Sequence, residues 1–438
     1  MSVTFVTPYL VKGKIEIPAE KYLPAYKENL KKLRQSVAIP GFRPGHVPME
    51  YIRGRYGKET LEKLLDWEFF AQLESLLGED RLIGIPLYTH EPEEVVTEPP
   101  YADYVYTFEV IVRPTEPFKI QGPLPPLYKY EASEGDLELF RRYMSVILAP
   151  KESIEHLPSE IPAGREVYVR LHGILPSGKS FAIRWVSFLE PFPYSYLAGR
   201  KVGEELDLPP SHLMPYTEII RAALPDFSPL TPEKITLRID YALHITPISD
   251  AELDAPFQSH ENIEEAWAVF LKTAAHKFLV ELNLRAYQNG ILHAAGIEIP
   301  PKLLELNYLF YAEQHKKSNQ SALMSYEKYA LALGWRIFME SHLGHVPDLE
   351  VPDEALEDDA WNKFKANMEV SEKGREILAQ LPDDEDIKRT YIQMLSEKDR
   401  ENLRSSIQYE RFDNWLVATY GPRSEKALPL RTILLAGL

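Results

Sequence analysis

Two helical patterns flank one short stretch rich in glycine and proline, and this arrangement constrains the fold more than any other feature of the sequence. Apolar residues recur three or four positions apart on both sides, first at Tyr22, Tyr26, Leu30, Leu33 and Val37, then at Leu61, Leu65, Phe69, Leu73 and Leu76. This is the spacing of an amphipathic helix that buries one face. We therefore predict two packed helices that present residues 41–57, GFRPGHVPMEYIRGRYG, as an exposed tip.

The tip region is basic although the chain as a whole is acidic, with a formal net charge of −17. From residue 27 to residue 58 the local charge is +6, because only Glu28 and Glu50 oppose the basic residues Lys27, Lys31, Lys32, Arg34, Arg43, Arg53, Arg55 and Lys58. A run of charge is usually just a solvated face. A positive patch beside an exposed Phe42 also fits docking to one anionic partner.

The remaining patterns predict an α+β protein with several domains. Alternation of apolar and polar residues predicts strands at 11–17, at 104–112 and repeatedly within 164–247. Five prolines between 114 and 126 predict an extended linker. Beyond residue 250 the spacing is mostly helical. At 438 residues the chain has room for roughly three domains, each with its own core.

Composition narrows the chemistry and the compartment. The chain contains no cysteine, which excludes disulfides, thiolate nucleophiles and cysteine-ligated zinc or iron–sulfur clusters. The first residues lack the basic and apolar regions of a secretory signal, and no apolar run approaches the ~18 residues of a membrane span. We expect a cytoplasmic protein with no membrane partner, no bound metal and no cofactor.

Two motifs resemble known sites but have simpler interpretations. Residues 173–180, GILPSGKS, satisfy the phosphate-loop pattern, which requires a following helix whose N-terminus faces the phosphates. Here Phe181, Ile183 and Trp185 alternate as in a strand, so we predict a hairpin. His342 and His345 could share a helix face, but no third metal ligand accompanies them, so we predict ordinary helix-end histidines.

The tip string itself resembles the signature of trigger factor, the bacterial ribosome-associated chaperone family. That family carries a G-F-R-x-G-x-x-P loop at the tip of its N-terminal domain, and GFRPGHVP followed by RxRYG matches it. Further along, DYVYTFEVIVRPTEPFKIQG, AGRKVGEELDL and GILHAAGIEIPPKLLE resemble parts of the family's three domains in order. The resemblance assigns ribosome binding to Gly41, Phe42, Arg43, Pro44, Gly45, His46 and Pro48.

The resemblance also implies a domain organisation. We expect an N-terminal α/β ribosome-binding domain over 1–113 and a proline-rich linker with a connecting helix over 114–150. A small β-rich, FKBP-like prolyl isomerase domain is expected over 151–248. A mostly helical C-terminal domain with arms, which binds substrate, is expected over 249–438.

By the same resemblance, the chain would dock beside the ribosomal exit tunnel, on a ribosomal protein and rRNA, and shield nascent or unfolded polypeptides. Free molecules of the family can form homodimers. Dispersed aromatic and methionine side chains suit weak binding of many clients. The candidates for this surface are Tyr308, Phe310, Met324, Trp335 and Phe338.

The sequence leaves enzymatic activity open. The family is a peptidyl-prolyl cis-trans isomerase, but Arg170-Leu171 replaces its Asp-Phe pair, and the following EPFPYSYLAGR stretch is shorter. Phe181 and Trp185 are the candidates for pocket residues. One hypothesis is a degenerate domain that only holds clients, and another is an active isomerase with a rearranged pocket. A third is an RNA-binding adaptor without chaperone action.

Overall fold

The structure, a computed structural model, shows an α+β chain of several layers, as the sequence predicts. It describes residues 2–43, 45–78, 81–157, 160–162, 167–175, 179–186, 197–230, 234–317, 323–346, 349–352 and 394–437, with isolated positions between 356 and 378. The chain divides into two compact units, Met1–Phe118 with Ile297–Gln408, and Lys119–Gly296 with Tyr409–Leu438. The four-part functional division stays a prediction.

The elements are numbered in chain order. The helices used below are α1 (Ala19–Ser36), α2 (Met49–Leu77), α3 (Asp136–Ile147), α4 (Thr217–Ala223), α5 (Asp250–Asp254), α6 (Ile263–Ala294), α7 (Pro301–Lys317), α8 (Tyr326–His342), α9 (Glu397–Tyr420) and α10 (Leu430–Gly437). The strands are β1 (Ser2–Thr7), β2 (Leu10–Ile17), β3 (Leu82–Glu91), β4 (Tyr104–Val112), β5 (Leu127–Glu131), β6 (Ile154–His156), β7 (Val167–Ile174), β8 (Ser180–Val186), β9 (Glu205–Leu208), β10 (Ile235–Ile245) and β11 (Glu425–Pro429). No described helix is both long and apolar enough to cross a membrane.

In the first unit, an antiparallel sheet in the order β1-β2-β4-β3 carries the hairpin of α1 and α2. The apolar side of β2 is buried, and the predicted stripes of both helices face the same core except at Leu76, which is exposed where the neighbouring Leu77 is buried. Phe69 of α2 is fully buried and stacks on Tyr106 of β4 at 4.8 Å between ring centroids. Packing therefore fixes the hairpin, and with it the tip.

The same unit includes α7 and α8, which are held to the sheet by polar contacts. Tyr9 donates its hydroxyl hydrogen to the carbonyl of Glu298 at 2.8 Å and accepts from the amide of that residue at 2.8 Å. Asn307 of α7 bonds both backbone groups of Ile85 in β3. Arg113 and Glu340 form an ion pair at 2.9 Å.

In the second unit, β6, β10, β7 and β8 form an antiparallel sheet, and β9 pairs with β10. β7 and β8 are the two strands of a hairpin, with Ile174 opposite Ser180 and the Leu175 amide donating to the Lys179 carbonyl at 2.8 Å. A strand follows GILPSGKS where a phosphate loop needs a helix, which confirms the hairpin prediction.

The end of the chain completes this second unit. β11 pairs in parallel with β5, which lies in the stretch predicted as a linker, and the apolar side of α10 enters the core. Arg423 donates to the carbonyls of Pro125 and Pro126 at 2.9 and 2.7 Å, and its guanidinium lies 4.6 Å from the Tyr287 ring centroid. Part of the predicted linker is therefore a strand with a partner.

Candidate functional site

The tip loop between α1 and α2 is an ordered turn anchored at both ends. Ile39 and Val47 are buried in the core beneath it, 6% and 0% exposed. The Phe42 amide donates to the Ile39 carbonyl at 3.1 Å, and the Gly45 amide donates to the Arg34 carbonyl at 3.2 Å. These contacts tie the loop to the end of α1, so its side chains project from a fixed frame.

Two glycines supply the backbone conformation of the loop. Gly41 and Gly45 have φ angles of +88° and +80°. No heavy atom lies within 4 Å of a β-carbon built at either position, so the requirement is conformational rather than one of space. Residues with a β-carbon rarely adopt this region, which explains why the motif needs glycine at both positions.

Two aromatic rings lie together at the exposed end of the hairpin. Phe42 in the loop and Tyr51 in the first turn of α2 have ring centroids 5.7 Å apart, and they are 40% and 41% exposed. Arg55 donates through Nη1 to the Tyr51 hydroxyl oxygen at 3.4 Å. Tyr51 was not among the predicted site residues. Its position four residues before Arg55 on the same helix places the two side chains side by side, and this spacing could have identified it.

Exposed cations lie on the same hairpin and in its loop. Arg43, Lys27, Lys31 and Lys32 are exposed and form no ion pair with the described residues. Arg53, by contrast, lies 3.3 Å from Glu98 through Nη2. Lys58 likewise lies 3.9 Å from Glu62. Arg43 and the three lysines at 27, 31 and 32 are therefore the cations available to an anionic surface.

The other predicted tip residues are placed as follows. His46 is exposed, and its amide donates to the Arg43 carbonyl at 2.9 Å. Pro48 precedes the first helical residue of α2, where its carbonyl accepts from the amides of Tyr51 and Ile52. Pro44 lies outside the described residues.

A second candidate surface lies on α7 and α8. Tyr308 donates to the Met324 carbonyl at 3.1 Å, and its ring centroid is 5.3 Å from that of Tyr326. Phe310 and Met324 are 44% and 36% exposed, and Leu309 is 59% exposed. Of the predicted client residues, Tyr308 and Met324 therefore contact each other, and Phe310 is exposed on the same helix as Tyr308.

Trp335 and Phe338 are buried and do not belong to that surface, so the prediction that they bind clients is wrong. They are 3% and 0% exposed, with ring centroids 5.6 Å apart. Phe338 also stacks on Phe118 at 6.3 Å. Helical spacing marks a face as apolar but does not tell whether that face is covered, and on this part of α8 it is covered.

The two histidines of SHLGH have the structural roles predicted for them. His342 is 1% exposed, and its Nδ1 lies 2.8 Å from the Phe338 carbonyl. Burial lowers the pKa of His342 below its ordinary value. His345 contacts the Thr115 carbonyl through Nε2 at 3.3 Å. Among the described residues, no three metal-binding side chains come together.

The isomerase-like region does not place Phe181 in a pocket. Phe181 is 4% exposed, and its ring lies over Gly173, where a β-carbon would collide with it. Its centroid is 6.0 Å from that of Phe227. Phe181 is therefore a core residue. Trp185 pairs with Val169 in the sheet, but its side chain lies outside the described residues.

A helical hairpin that projects two partly exposed rings and free cations from an acidic chain has the chemistry of a docking module. The family model described as "Bacterial trigger factor protein (TF)" matches residues 1–138. The trigger factor of Thermus thermophilus is 25% identical over 338 residues, covering 74% of this chain and 75% of that protein. The trigger factor of Caldicellulosiruptor bescii is 23% identical over 340 residues, covering 73% of each.

The identity is higher over a shorter stretch. The trigger factor of Mycobacterium leprae is 32% identical over 115 residues, which cover 26% of this chain and 24% of that protein. These matches confirm the resemblance that the tip motif predicts: residues 1–138 match the family model, and about three quarters of the chain is similar to trigger factors.

One solved structure also aligns along the chain. It comes from a study of promiscuous substrate recognition in folding and assembly activities of the trigger factor chaperone. The alignment covers 95% of this chain and 99% of that one, at 20% identity and a TM-score of 0.34.

Proposed function

We propose that this protein is a cytoplasmic, ribosome-associated chaperone that docks beside the nascent-chain exit through the tip loop. The observation that carries the proposal is the exposed Phe42–Tyr51 pair among free cations, on a chain of net charge −17. Cations neutralise rRNA phosphates, and aromatic rings anchor protein interfaces. The partners are therefore a ribosomal protein and rRNA. Away from ribosomes, the resemblance supports a homodimer, which sedimentation would detect.

Co-sedimentation with bacterial ribosomes tests the docking. The triple variant Phe42→Ala, Arg43→Ala, Pro44→Ala should lose binding, because it removes an anchoring ring and a cation together. The matched control, Lys277→Ala with Val280→Ala, removes an exposed cation and an exposed apolar side chain from α6 and should bind normally. Wild-type binding should also weaken as salt rises. Equal binding by the tip variant and the control would contradict docking through the tip.

We propose that the surface on α7 and α8 holds unfolded polypeptides. Its exposed Leu309, Phe310 and Met324 offer apolar area without a deep pocket, which favours weak contact with many sequences. The double variant Phe310→Ser, Met324→Ser should suppress the aggregation of an unfolded client less well than the wild type, in the absence of ribosomes. The exposed control Gln314→Ser on α7 should not change the suppression. Absence of suppression by the wild type would favour the RNA-binding adaptor instead.

For the isomerase-like region we propose client holding rather than catalysis. Isomerases of this kind lower a barrier near ~20 kcal/mol by surrounding the twisted amide with an apolar pocket. Burial of Phe181 in the core removes one of the two residues expected to line such a pocket. A proline-containing peptide should not be isomerised faster with the protein than without it. Turnover that Trp185→Ala abolishes would establish the alternative, an active isomerase with a rearranged pocket.

A further inference from the structure

β1 is an open edge of the N-terminal sheet. It is the outermost strand, and within the described part of the chain no strand pairs with its outer side. Such an edge presents a row of unpaired backbone N–H and C=O groups, which natural proteins usually protect with charges, proline or a covering element. β1 reads SVTFVT, which contains no charged residue and no proline before Pro8 ends it, and its register with β2 is regular from Ser2 to Phe5 and shifts between Phe5 and Thr7.

Two apolar side chains of β1, Phe5 and Val6, are also exposed. Phe5 lies opposite Val11 of β2 in the register of the sheet. Val11 is fully buried, whereas Phe5 and Val6 are 52% and 51% exposed. The helical layer therefore covers β2 and ends before β1. An added strand would extend the sheet and cover apolar surface that is now exposed to water.

A depression lies at the end of this edge. It encloses about 500 Å³ and is lined by Phe5, Val6, Thr7, Pro8, Arg81 and Thr115. The Arg81 guanidinium lies 5.8 Å from the Phe5 ring centroid. A side chain at the end of an added strand would enter this depression and meet an apolar wall with a cation beside it.

Both ends of the edge carry a cation, whereas Lys12, opposite Thr4, is paired with Glu109, and Glu16 follows two residues after Lys14 on β2. At one end Lys14 of β2 is exposed and lies opposite Ser2, and at the other end is Arg81. β1 itself is uncharged. Charge complementarity therefore favours an apolar segment flanked by acidic residues over one flanked by basic residues.

We propose that the outer edge of β1 captures an extended, apolar, acid-flanked segment of an unfolded polypeptide as an additional strand. Backbone hydrogen bonds supply affinity that does not depend on sequence, and the Phe5 depression and the flanking cations supply the preference. This inference rests on the proposed chaperone function and adds a client site separate from the surface on α7 and α8. It also specifies how that site recognises the backbone.

A pair of synthetic peptides tests backbone recognition on the full-length chain without ribosomes. The first alternates valine and threonine between terminal aspartates, and its twin has the same side chains but carries N-methyl groups at alternate residues. Fluorescence anisotropy should show binding of the first peptide and at least ten-fold weaker binding of the twin, roughly the effect of losing two hydrogen bonds. Equal binding of the two peptides would overturn the proposal.

A lysine-flanked peptide tests the role of the flanking cations, and a protein variant tests the role of Phe5. The peptide with terminal lysines should bind more weakly than the aspartate form at low salt. Phe5→Lys should weaken binding roughly ten-fold or more, because it removes the apolar cover and adds positive charge. The control Trp67→Lys changes an aromatic residue that is 66% exposed on α2 and should bind as the wild type does. Unchanged binding to Phe5→Lys would count against the edge site.

Two further measurements separate this inference from the docking proposal. Phe5→Lys should still sediment with ribosomes and melt near the wild-type temperature, which shows that the sheet is folded. The tip triple variant should bind the peptide normally, so a failure of docking leaves the edge result intact. If the outer edges of two copies pair instead, Phe5→Lys will convert the homodimer into a monomer, while the peptide will not bind the wild-type chain; that outcome would overturn capture of clients at β1.

Discussion

The Asn307 side chain bonds both backbone groups of Ile85 in β3, as a neighbouring strand would. Its Nδ2 donates to the Ile85 carbonyl at 3.1 Å, and its Oδ1 accepts from the Ile85 amide at 2.8 Å. Asn307 is 2% exposed, so water does not substitute for these bonds. The neighbouring Gly84, at φ +82°, makes the approach possible, since a β-carbon there would overlap the Asn307 amide. The pair ties α7 to β3.

The substitution Asn307→Ala should therefore destabilise the first unit more than an ordinary helix substitution. It leaves two partly buried backbone groups of Ile85 unpaired, at a cost of about 1–3 kcal/mol at most. Urea unfolding should show this loss, and amide exchange at Ile85 should accelerate. Gln314→Ala, an exposed change on the same helix, serves as the control. A free energy of unfolding equal to that of the control would show that the contact contributes nothing.

At the scale of elements, Asp254 joins three helices of the second unit. Its carboxylate accepts from both terminal nitrogens of Arg141 in α3, at 2.7 and 3.0 Å, and from Nε1 of Trp267 in α6 at 2.8 Å. The Arg141 guanidinium also lies 5.1 Å from the Trp267 ring centroid. One carboxylate at the end of α5 therefore fixes α3 and α6 together.

This junction should make stability depend on pH in acid. The hydrogen bonds from Arg141 hold the pKa of Asp254 below its usual value. A carboxylate with a lowered pKa contributes stability that is present above its unfolded pKa, about 3.9, and is lost as the pH falls through the folded pKa. Asp254→Asn should therefore lower the melting temperature at neutral pH, with a difference from the wild type that shrinks below about pH 4.

The control for this experiment is Asp250→Asn, at the exposed start of the same short helix. It should leave the acid dependence of the melting temperature close to that of the wild type. A constant difference between Asp254→Asn and the wild type across the acid range would show that the carboxylate charge is not what stabilises the junction.

Periodicity predicted the elements that bury one regular face. β2 and β4 alternate cleanly because one side of each faces the helices, and α1 and α2 show the matching stripe. Periodicity did not predict β1, whose side chains are mostly exposed, or β3, which contains Gly84 and shifts register between Ile83 and Leu87. Periodicity also did not predict β11, because its partner, β5, is remote in sequence. Pairing between distant segments cannot be read from local spacing.

At the scale of the whole molecule, the motif and its charge predicted the tip, while spacing alone was a poor guide to the client surface. Gly41 and Gly45 have the positive φ that the motif implies, and Phe42 and Arg43 are exposed as docking requires. Trp335 was wrongly assigned to the surface, because an apolar helix face reads the same whether it meets a core or a client. Burial is decided by elements that the local sequence does not contain.

In one acidic stretch, too, burial differs from what local composition indicates. Residues 346–361, VPDLEVPDEALEDDAW, are rich in acidic residues, a composition typical of a solvated connector. Yet Leu349, Leu356 and Trp361 are 0%, 2% and 3% exposed. Scattered apolar residues in a charged stretch are enough to hold it against a core, and only the folded chain shows which residues do so. The net charge of the molecule remains acidic around a basic tip.

Site-specific photocrosslinking from the tip tests the central claim most directly. A photoreactive residue at position 42 in the full-length chain, mixed with bacterial ribosomes, should crosslink to a ribosomal component. The yield should fall as salt rises, because docking is partly electrostatic. The same group at position 280, where Val280 is 54% exposed on α6, serves as the control and should give little product. Equal crosslinking from both positions, or none from position 42 while the protein sediments with ribosomes, would contradict docking through the tip.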